Sequence, residues 1–545
     1  MSRRRFVPSA ALVRKLVQIA FLVLFVVLIL LARFQPGSQA LDAPVRFFFL
    51  IDPLILLATW LAAHSAPLAA LWALVVIGLT VILGRVFCGW VCPMGTIHAI
   101  AGRLFRRRTD RRREHWSRWH LTKYYLLAGL LAGAVFGLHW VSLFDPIVWL
   151  TRTTTAALLP ATQWAVEEGS TAIYQADPGI GSLRLAAVSE PVYAYLRDHV
   201  FAVPKQTFLG GALILALFVV AVLANAWRHR FWCRYLCPLG ALLGLFAWRP
   251  LVRRKLQADT CNHCDLCGTA CHGAAAAAPG EGWKAAECFG CMNCTPSCRR
   301  ESLRFGLVLP WRRDAGEEKV DLSKRALLGA AVGGVTLLGA MRLAPQGRGK
   351  LFHSSLIRPP GSLPEPDFLH RCTACGLCIK VCPTGGLQPA LTEAGLEGLW
   401  TPRLVPRIGY CDYNCVLCGQ ACPTGAIEPL TEERKHAIKI GLASFDVTRC
   451  IPYAYGRDCM VCEEHCPVPD KAIYCLDVEV RDRNGETRVI KRPFVDPEKC
   501  TGCGVCESVC PFKDRPGIRV TSANETRNPD NQPILPGVGG DDPYA

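Results

Sequence analysis

Cys261, Cys264, Cys267 and Cys271 follow the spacing C-x2-C-x2-C-x3-C, and Cys288, Cys291, Cys294 and Cys298 repeat it. This spacing suits [4Fe–4S] chemistry. Three cysteines on a tight loop hold three irons, and a fourth from elsewhere closes the site. In two-cluster ferredoxins the fourth cysteine of each run serves the other run's cluster. The expected ligand sets are Cys261, Cys264, Cys267 with Cys298, and Cys288, Cys291, Cys294 with Cys271.

Four more runs follow residue 350: Cys372, Cys375, Cys378, Cys382; Cys411, Cys415, Cys418, Cys422; Cys450, Cys459, Cys462, Cys466; and Cys500, Cys503, Cys506, Cys510. The second opens with a three-residue gap and the third with an eight-residue gap, but both close as C-x2-C-x3-C-P. Six quartets imply six [4Fe–4S] clusters and use 24 of the 29 cysteines. Zinc also takes four cysteines, but complete runs in tandem favour iron–sulfur ligation. The last four runs could exchange fourth cysteines in nested order, first with fourth and second with third, or sequentially. The nested order is the expectation carried forward. Cys475, in AIYCL, is left over and is expected to be a buried thiol.

Four cysteines form a different device. FCGWVCPMG (87–95) contains Cys88 and Cys92, and WCRYLCPLG (232–240) contains Cys233 and Cys237, each pair as C-x3-C-P. An i, i+4 spacing places each pair on one helix face. Two roles stay open: a metal or redox site, or structural thiols where a helix ends, with Pro93 and Pro238 shaping the turn.

The elements that must position these groups read as membrane helices. Half of the residues are hydrophobic and mean hydropathy is +0.24. Residues 16–32, 67–84, 124–144 and 208–227 are uncharged and long enough to cross about 30 Å of hydrocarbon. The run 54–63 is too short to span and suits an interfacial or re-entrant segment. Arginine clusters sit at the N-terminus, in the loop 102–120 and just after residue 228, whereas 34–66 and 145–207 are less basic. Basic loops face the cytoplasm, which puts both C-x3-C-P pairs on that side. The formal charge of +17 is therefore no nucleic-acid signature. Six oxidised clusters, at roughly −2 each, offset much of it.

The chain repeats itself: Asp-Pro, an apolar segment, a long apolar run, an arginine, then C-x3-C-P. Asp52-Pro53 and Asp145-Pro146 read as helix starts, with Asp at the N-cap and Pro in the first turn. Quinone chemistry is the other role open to these aspartates. His98 and His139 read as interfacial residues. No C-x-x-C-H, G-x-G-x-x-G or P-loop occurs, so haem c attachment and those nucleotide folds are not indicated. Single-electron transfer is what the side chains are equipped to do.

With these motifs, residues 1–310 resemble the NapH-type membrane ferredoxin subunit of periplasmic nitrate reductase systems. Residues 351–525 resemble the NapG-type four-cluster ferredoxin through CTACGLCIKVCPTG, CDYNCVLCGQACPTGAI, CIPYAYGRDCMVCEEHCPVPDKAI and CTGCGVCESVC. Here both would lie in one chain. At the join, DLSKRALLGAAVGGVTLLGAMRLAP (321–345) resembles a twin-arginine export signal with Lys324-Arg325 for the arginine pair.

The expected architecture is an α-helical membrane bundle of four spans plus a fifth at the join, carrying α+β ferredoxin-like polycluster domains. Its parts are a membrane module (1–250), a two-cluster ferredoxin (251–310), a linker with the fifth span or export-like segment (311–350), a four-cluster ferredoxin (351–525) and a flexible tail (526–545). The resemblance implies an electron-transfer subunit of a quinol dehydrogenase type in the inner membrane. Its donor would be the quinone pool. Its acceptor would be a periplasmic reductase or that enzyme's cytochrome partner, with 251–310 cytoplasmic and 351–545 periplasmic. The alternative is an assembly or regulatory factor supplying electrons to mature a metal site.

Overall fold

The computed structural model describes residues 10–33, 40–41, 44–65, 67–105, 115–176, 179–180, 183–184, 186–201, 207–275, 282–309, 320–342, 353–481, 485 and 487–531. Residues 106–114 of the arginine-rich loop, parts of the 311–350 linker and residues 532–545 of the expected tail lie outside them. The chain forms two units, one of residues 1–31, 43–154 and 212–340, the other of residues 32–42, 155–211 and 341–545.

The four-span bundle expected from hydropathy is not the fold. Among the described residues two helices are long and apolar enough to cross a membrane, Ala10–Leu31 and Lys324–Arg342. The other runs are shorter as helices: Leu68–Leu83, Thr122–Val135 and Gly211–Ala226. At 1.5 Å per residue the longest of these reaches only about 24 Å. Glycine breaks them. Gly84, Gly137 and Gly210 all sit at positive φ (80°, 91° and 75°), a conformation glycine adopts without steric cost. Gly84 ends the second run, Gly137 cuts the third, and Gly210 sets back the start of the fourth.

The repeated Asp-Pro signals do start helices in the first unit. Asp52 Oδ1 accepts the backbone N–H of Leu54 at 2.8 Å and opens Pro53–Ala63. Asp145 Oδ1 accepts those of Ile147 and Val148, both at 2.9 Å, and opens Pro146–Thr153. His98 and His139 are fully enclosed rather than interfacial. His98 Nδ1 meets Asn225 at 2.7 Å and His139 Nε2 meets Thr59 at 3.1 Å. The helix Lys324–Arg342 lies against Thr122–Val135 with glycine facing glycine. A Cβ on Gly334 would come within 2.0 Å of the Gly129 carbonyl oxygen. The two cysteine runs of residues 251–309 lie between the antiparallel strands Val252–Leu256 and Leu303–Leu307 and pack into this same unit.

The second unit is built from short helices and two-stranded antiparallel ribbons: Leu387–Pro389 with Pro402–Leu404, Leu442–Phe445 with Ile518–Thr521, and Ile473–Arg481 with Thr487–Val495. Its core joins Ile357, Phe368, Ile379, Leu404, Ile427, Ala443, Ile473 and Ile518, with cysteines of all four runs packed on it. Glu365 ties the outer loops to this core. Arg358 Nε donates to it at 3.1 Å and Arg527 Nη1 at 2.7 Å. Burial alone would raise the Glu365 carboxyl, but Arg358 and then Arg527 hold it below its ordinary 4.5. A carboxyl lowered on folding stabilises in full above its unfolded value and loses that contribution as pH falls through the folded one. E365Q should therefore weaken the protein at neutral pH and flatten the decline of its urea midpoint below pH about 4.5. An acid limb as steep as that of the parent would refute this role.

Candidate iron-sulfur sites

In the second unit the spacing itself builds each site. In three of the four runs the third cysteine lies in the first turn of a short helix and the fourth ends it. Leu377–Val381 ends at Cys382, Leu417–Ala421 at Cys422 and Val505–Val509 at Cys510. Proline follows each of these cysteines and cannot extend the helix. The chain turns away there, which frees the fourth cysteine to serve another run.

The partners are sequential rather than nested. A cavity of about 400 Å³ is lined by Cys411, Cys415 and Cys418 of the second run and Cys382 of the first. Another, of about 360 Å³, is lined by Cys450, Cys459 and Cys462 of the third and Cys510 of the fourth. The thiols' mutual electrostatics complete the pattern. Burial first, and then Cys422 and Cys375, push Cys372 up to about 12. Burial, then Cys503, Cys500, Cys462 and Cys466, raise Cys506. Two neighbouring runs fold back on each other as a local unit, and the closure of a short loop costs less entropy than nested pairing across the domain. The two pairs meet where Cys411 N donates to Cys503 O at 2.8 Å. The quartets thus follow one another in the order first, second, fourth, third. Cys475 is only partly buried, and its charge is felt by Cys450 and Cys462.

In the first unit a cavity of about 360 Å³ is lined by Cys271, Cys288, Cys291 and Cys294 with Cys267 and Phe289. This is the grouping expected for Cys271. Around Cys298 the structure sets the backbone of its own turn, from Arg300 to Leu303. Cys264 is exposed, and Cys261 and Cys267 are half-buried.

The run 288–298 is anchored by a residue that spacing did not single out. Glu287 is buried and accepts from Arg85 Nη1 at 3.1 Å, from Tyr124 Oη at 2.9 Å and from Lys123 Nζ. Burial would raise its carboxyl, but Lys123 and then Arg85 outweigh that and lower it. Next to it, Trp90 Nε1 donates to Gly290 O at 3.0 Å, and a Cβ on Gly89 would meet Phe289 O at 2.2 Å. The first C-x3-C-P turn and the second ferredoxin run are docked backbone to backbone. Cys92 and Cys237 cap their helices, accepting the N–H of Gly95 at 3.4 Å and of Gly240 at 3.2 Å.

Groups of cysteine lining largely apolar cavities fit the donor set of [4Fe–4S] clusters. The class of the protein follows: it is a ferredoxin-type iron–sulfur electron-transfer protein. Comparisons with known proteins agree. Two family profiles, each described as a 4Fe-4S binding domain, match residues 65–112 and 208–258 and residues 369–388 and 493–513. The methylamine utilization ferredoxin-type protein MauM of Methylorubrum extorquens is 40% identical over 198 residues, 34% of this chain and 84% of its own. MauM of Paracoccus denitrificans is 36% identical over 202 residues, 36% of this chain and 82% of its own. The ferredoxin-type protein NapG of Escherichia coli is 36% identical over 170 residues, 30% of this chain and 69% of its own. The chain belongs to this MauM and NapG family of ferredoxin-type proteins. No solved structure matches it.

Proposed function

We propose that the chain is a membrane-bound electron carrier of the inner membrane. In this reading it takes electrons from quinol and passes them to a periplasmic reductase, such as a nitrate reductase, or to that enzyme's cytochrome partner. Its first 310 residues would act as a NapH-type module joined to the NapG-type remainder. Ala10–Leu31 would hold the first unit to the membrane from the cytoplasmic side, and Lys324–Arg342 would be the crossing, so that residues 251–310 would face the cytoplasm and residues 351–545 the periplasm.

The observation that carries this reading is the serial arrangement of the four quartets, joined at Cys411 and Cys503. Six clusters would be held by the six runs. In the second unit their ligand sets would be Cys372, Cys375, Cys378 with Cys422; Cys411, Cys415, Cys418 with Cys382; Cys450, Cys459, Cys462 with Cys510; and Cys500, Cys503, Cys506 with Cys466. Bound [4Fe–4S] clusters supply one-electron transfer. The chain supplies thiolate ligands, shelter from water and the order of the sites. Membrane attachment is supported by the apolar side chains that Ala10–Leu31 leaves exposed, among them Leu16, Ile19 and Val23.

Quinol added to the anaerobically purified protein should bleach the iron–sulfur absorbance, and C375A should lose about four irons per chain, one cluster's worth. C475A should lose none. Clusters that stay oxidised with quinol but accept electrons from dithionite would refute the donor. In spheroplasts, a tag placed after Ala545 should be open to protease. A tag protected until the inner membrane is opened would overturn the proposed placement.

A further inference from the structure

We propose that the second unit is held with its first-run site toward the membrane and its third-run site away from it, so that electrons enter at the quartet closed by Cys422 and leave at the quartet closed by Cys510. The proposal deepens the electron-transfer reading above and rests on its membrane placement. The surface it assigns is the turn 391–400, and the partner of that surface is lipid.

The orientation starts from the crossing helix. Lys324–Arg342 has 19 residues and reaches about 28 Å, close to the thickness of the hydrocarbon layer. Leu328, Val332 and Leu337 stand exposed along it. Arg342, its last residue, would therefore lie at the periplasmic surface of the membrane. Arg342 Nε donates to Glu397 Oε1 at 2.8 Å. Glu397 lies in the turn that joins the paired strands Leu387–Pro389 and Pro402–Leu404. Leu396 beside it is 56% exposed, and nothing lies within 4 Å of a Cβ on Gly395. An open apolar tip next to an arginine at a helix end suits the headgroup boundary, where long cationic side chains reach the polar layer.

From this turn a chain of bonds runs to the first quartet. Trp400 N donates to Ala390 O at 2.7 Å and closes the turn. Arg358 Nη1 donates to Thr401 Oγ1 and to Pro402 O, both at 2.8 Å, and Arg358 Nε donates to Glu365 Oε2 at 3.1 Å. Glu365 begins the helix Glu365–Arg371, and Cys372 follows the last residue of that helix. Arg358 is buried, so water does not compete for these bonds. One ion pair, one turn and one short helix thus separate Arg342 from the first ligand of the first run.

The opposite end of the series is built differently. The second-run site meets the fourth through Cys411 N and Cys503 O, and the third-run site comes last. Its first cysteine, Cys450, precedes the helix Ile451–Tyr455. Tyr453 Oη on that helix donates at 2.8 Å to Pro493 O of the ribbon Ile473–Arg481 with Thr487–Val495. Tyr455, Tyr474 and Leu476 are exposed there, so the last site is framed by side chains that solvent reaches.

A series of one-electron sites can be filled from either end, and the order of the runs does not choose between them. The bond from Arg342 to Glu397 does. A quinol oxidised at the membrane gives up two electrons and two protons and becomes quinone. The electrons pass singly into the first-run site, and the protons go to water.

The test uses the full-length protein, purified without oxygen and reconstituted in phosphatidylcholine vesicles that contain a lipid with a dysprosium-chelate headgroup. Dysprosium speeds the spin relaxation of paramagnetic clusters close to it. After reduction with dithionite, the electron paramagnetic resonance signal that C375A loses should relax faster on these vesicles than on vesicles without the metal. The signal that C462A loses should not change. E397A should keep its iron and weaken the effect on the first signal, and R342E combined with E397R should restore it. Equal effects on both signals, no effect on either, or a larger effect on the third-run signal would overturn the proposal. If the cysteine variants fail to fold, an E397A protein whose signals all relax as the parent's do would overturn it. Quinol gives a second reading. The remaining clusters of the second unit should stay oxidised with quinol in C375A, whereas those of the other three runs should be reduced in C462A. Reduction in C375A at the parent's rate would overturn the direction of flow. Parent clusters that quinol leaves oxidised would refute the quinol donor instead, and the vesicle measurement would still decide the orientation.

Discussion

E287A should lower the stability of the first unit by about 3–5 kcal/mol, the usual cost of removing one partner from a buried ion pair. Glu287 is 1% exposed, and its carboxylate is shared by Arg85, Lys123 and Tyr124. Alanine would leave two enclosed cations and a phenol without their acceptor. E287Q should be milder, since an amide oxygen can still accept from Tyr124, but it too leaves the cations uncompensated. Adding K123M to E287Q removes one of them and should recover part of the loss. The two changes are thereby coupled rather than additive. The measurement is the urea midpoint of the purified protein, with limited proteolysis of residues 251–309 as the local readout. Through Lys123 and Tyr124 the carboxylate holds that segment against the helix Thr122–Val135, so E287A should be cut there first. A variant within about 0.5 kcal/mol of the parent would mean that the ion pairs merely accompany a dock held by apolar packing.

Glu287 also shows what a linear reading could and could not find. Its partner Lys123 is 164 residues away in the chain, and no spacing rule links them. The same holds for Arg230, whose contact with Cys88 crosses 142 residues. The repeat of arginine and C-x3-C-P was visible, but the bond from the second copy's arginine to the first copy's leading cysteine was not. By contrast, the cysteine runs were legible because their information is local. The helix from the third cysteine to the fourth, and the proline that stops it, are set within seven residues. The exchange of fourth cysteines depends on which runs pack together, and there the nested expectation failed. The membrane bundle failed for another reason. Hydropathy averages over a window and is insensitive to single glycines, yet Gly84, Gly137 and Gly210 decide where those helices stop or start.

The second large effect is expected at Gly502, in the CTGCG turn of the fourth run. Its φ is +73°, and a Cβ there would lie 2.4 Å from both the nitrogen and the oxygen of Gly441. Both atoms are backbone, so no rotamer change can relieve the clash. Gly441 leads into Leu442–Phe445, which pairs with Ile518–Thr521, and Ile440 N donates to Thr501 O at 2.9 Å beside it. G502A must therefore displace either the cysteine turn or that ribbon. Gly425 supplies the control. It has nearly the same φ, +70°, but nothing lies within 4 Å of its Cβ position. G425A should cost only the conformational penalty of a left-handed residue, about 1–2 kcal/mol. Its iron content should not change. G502A should exceed that penalty by several-fold, because steric overlap is added to the same backbone strain. It should also lose about four irons per chain, those that Cys500, Cys503, Cys506 and Cys466 would hold in the proposed reading. Because Cys411 N is bonded to Cys503 O, the site of the second run should be disturbed as well, and its spectroscopic signal should shift rather than vanish. Equal stability losses in the two variants, with full iron in both, would show that the turn can move away from Gly441, and the close approach would then not be what fixes the fourth run in place.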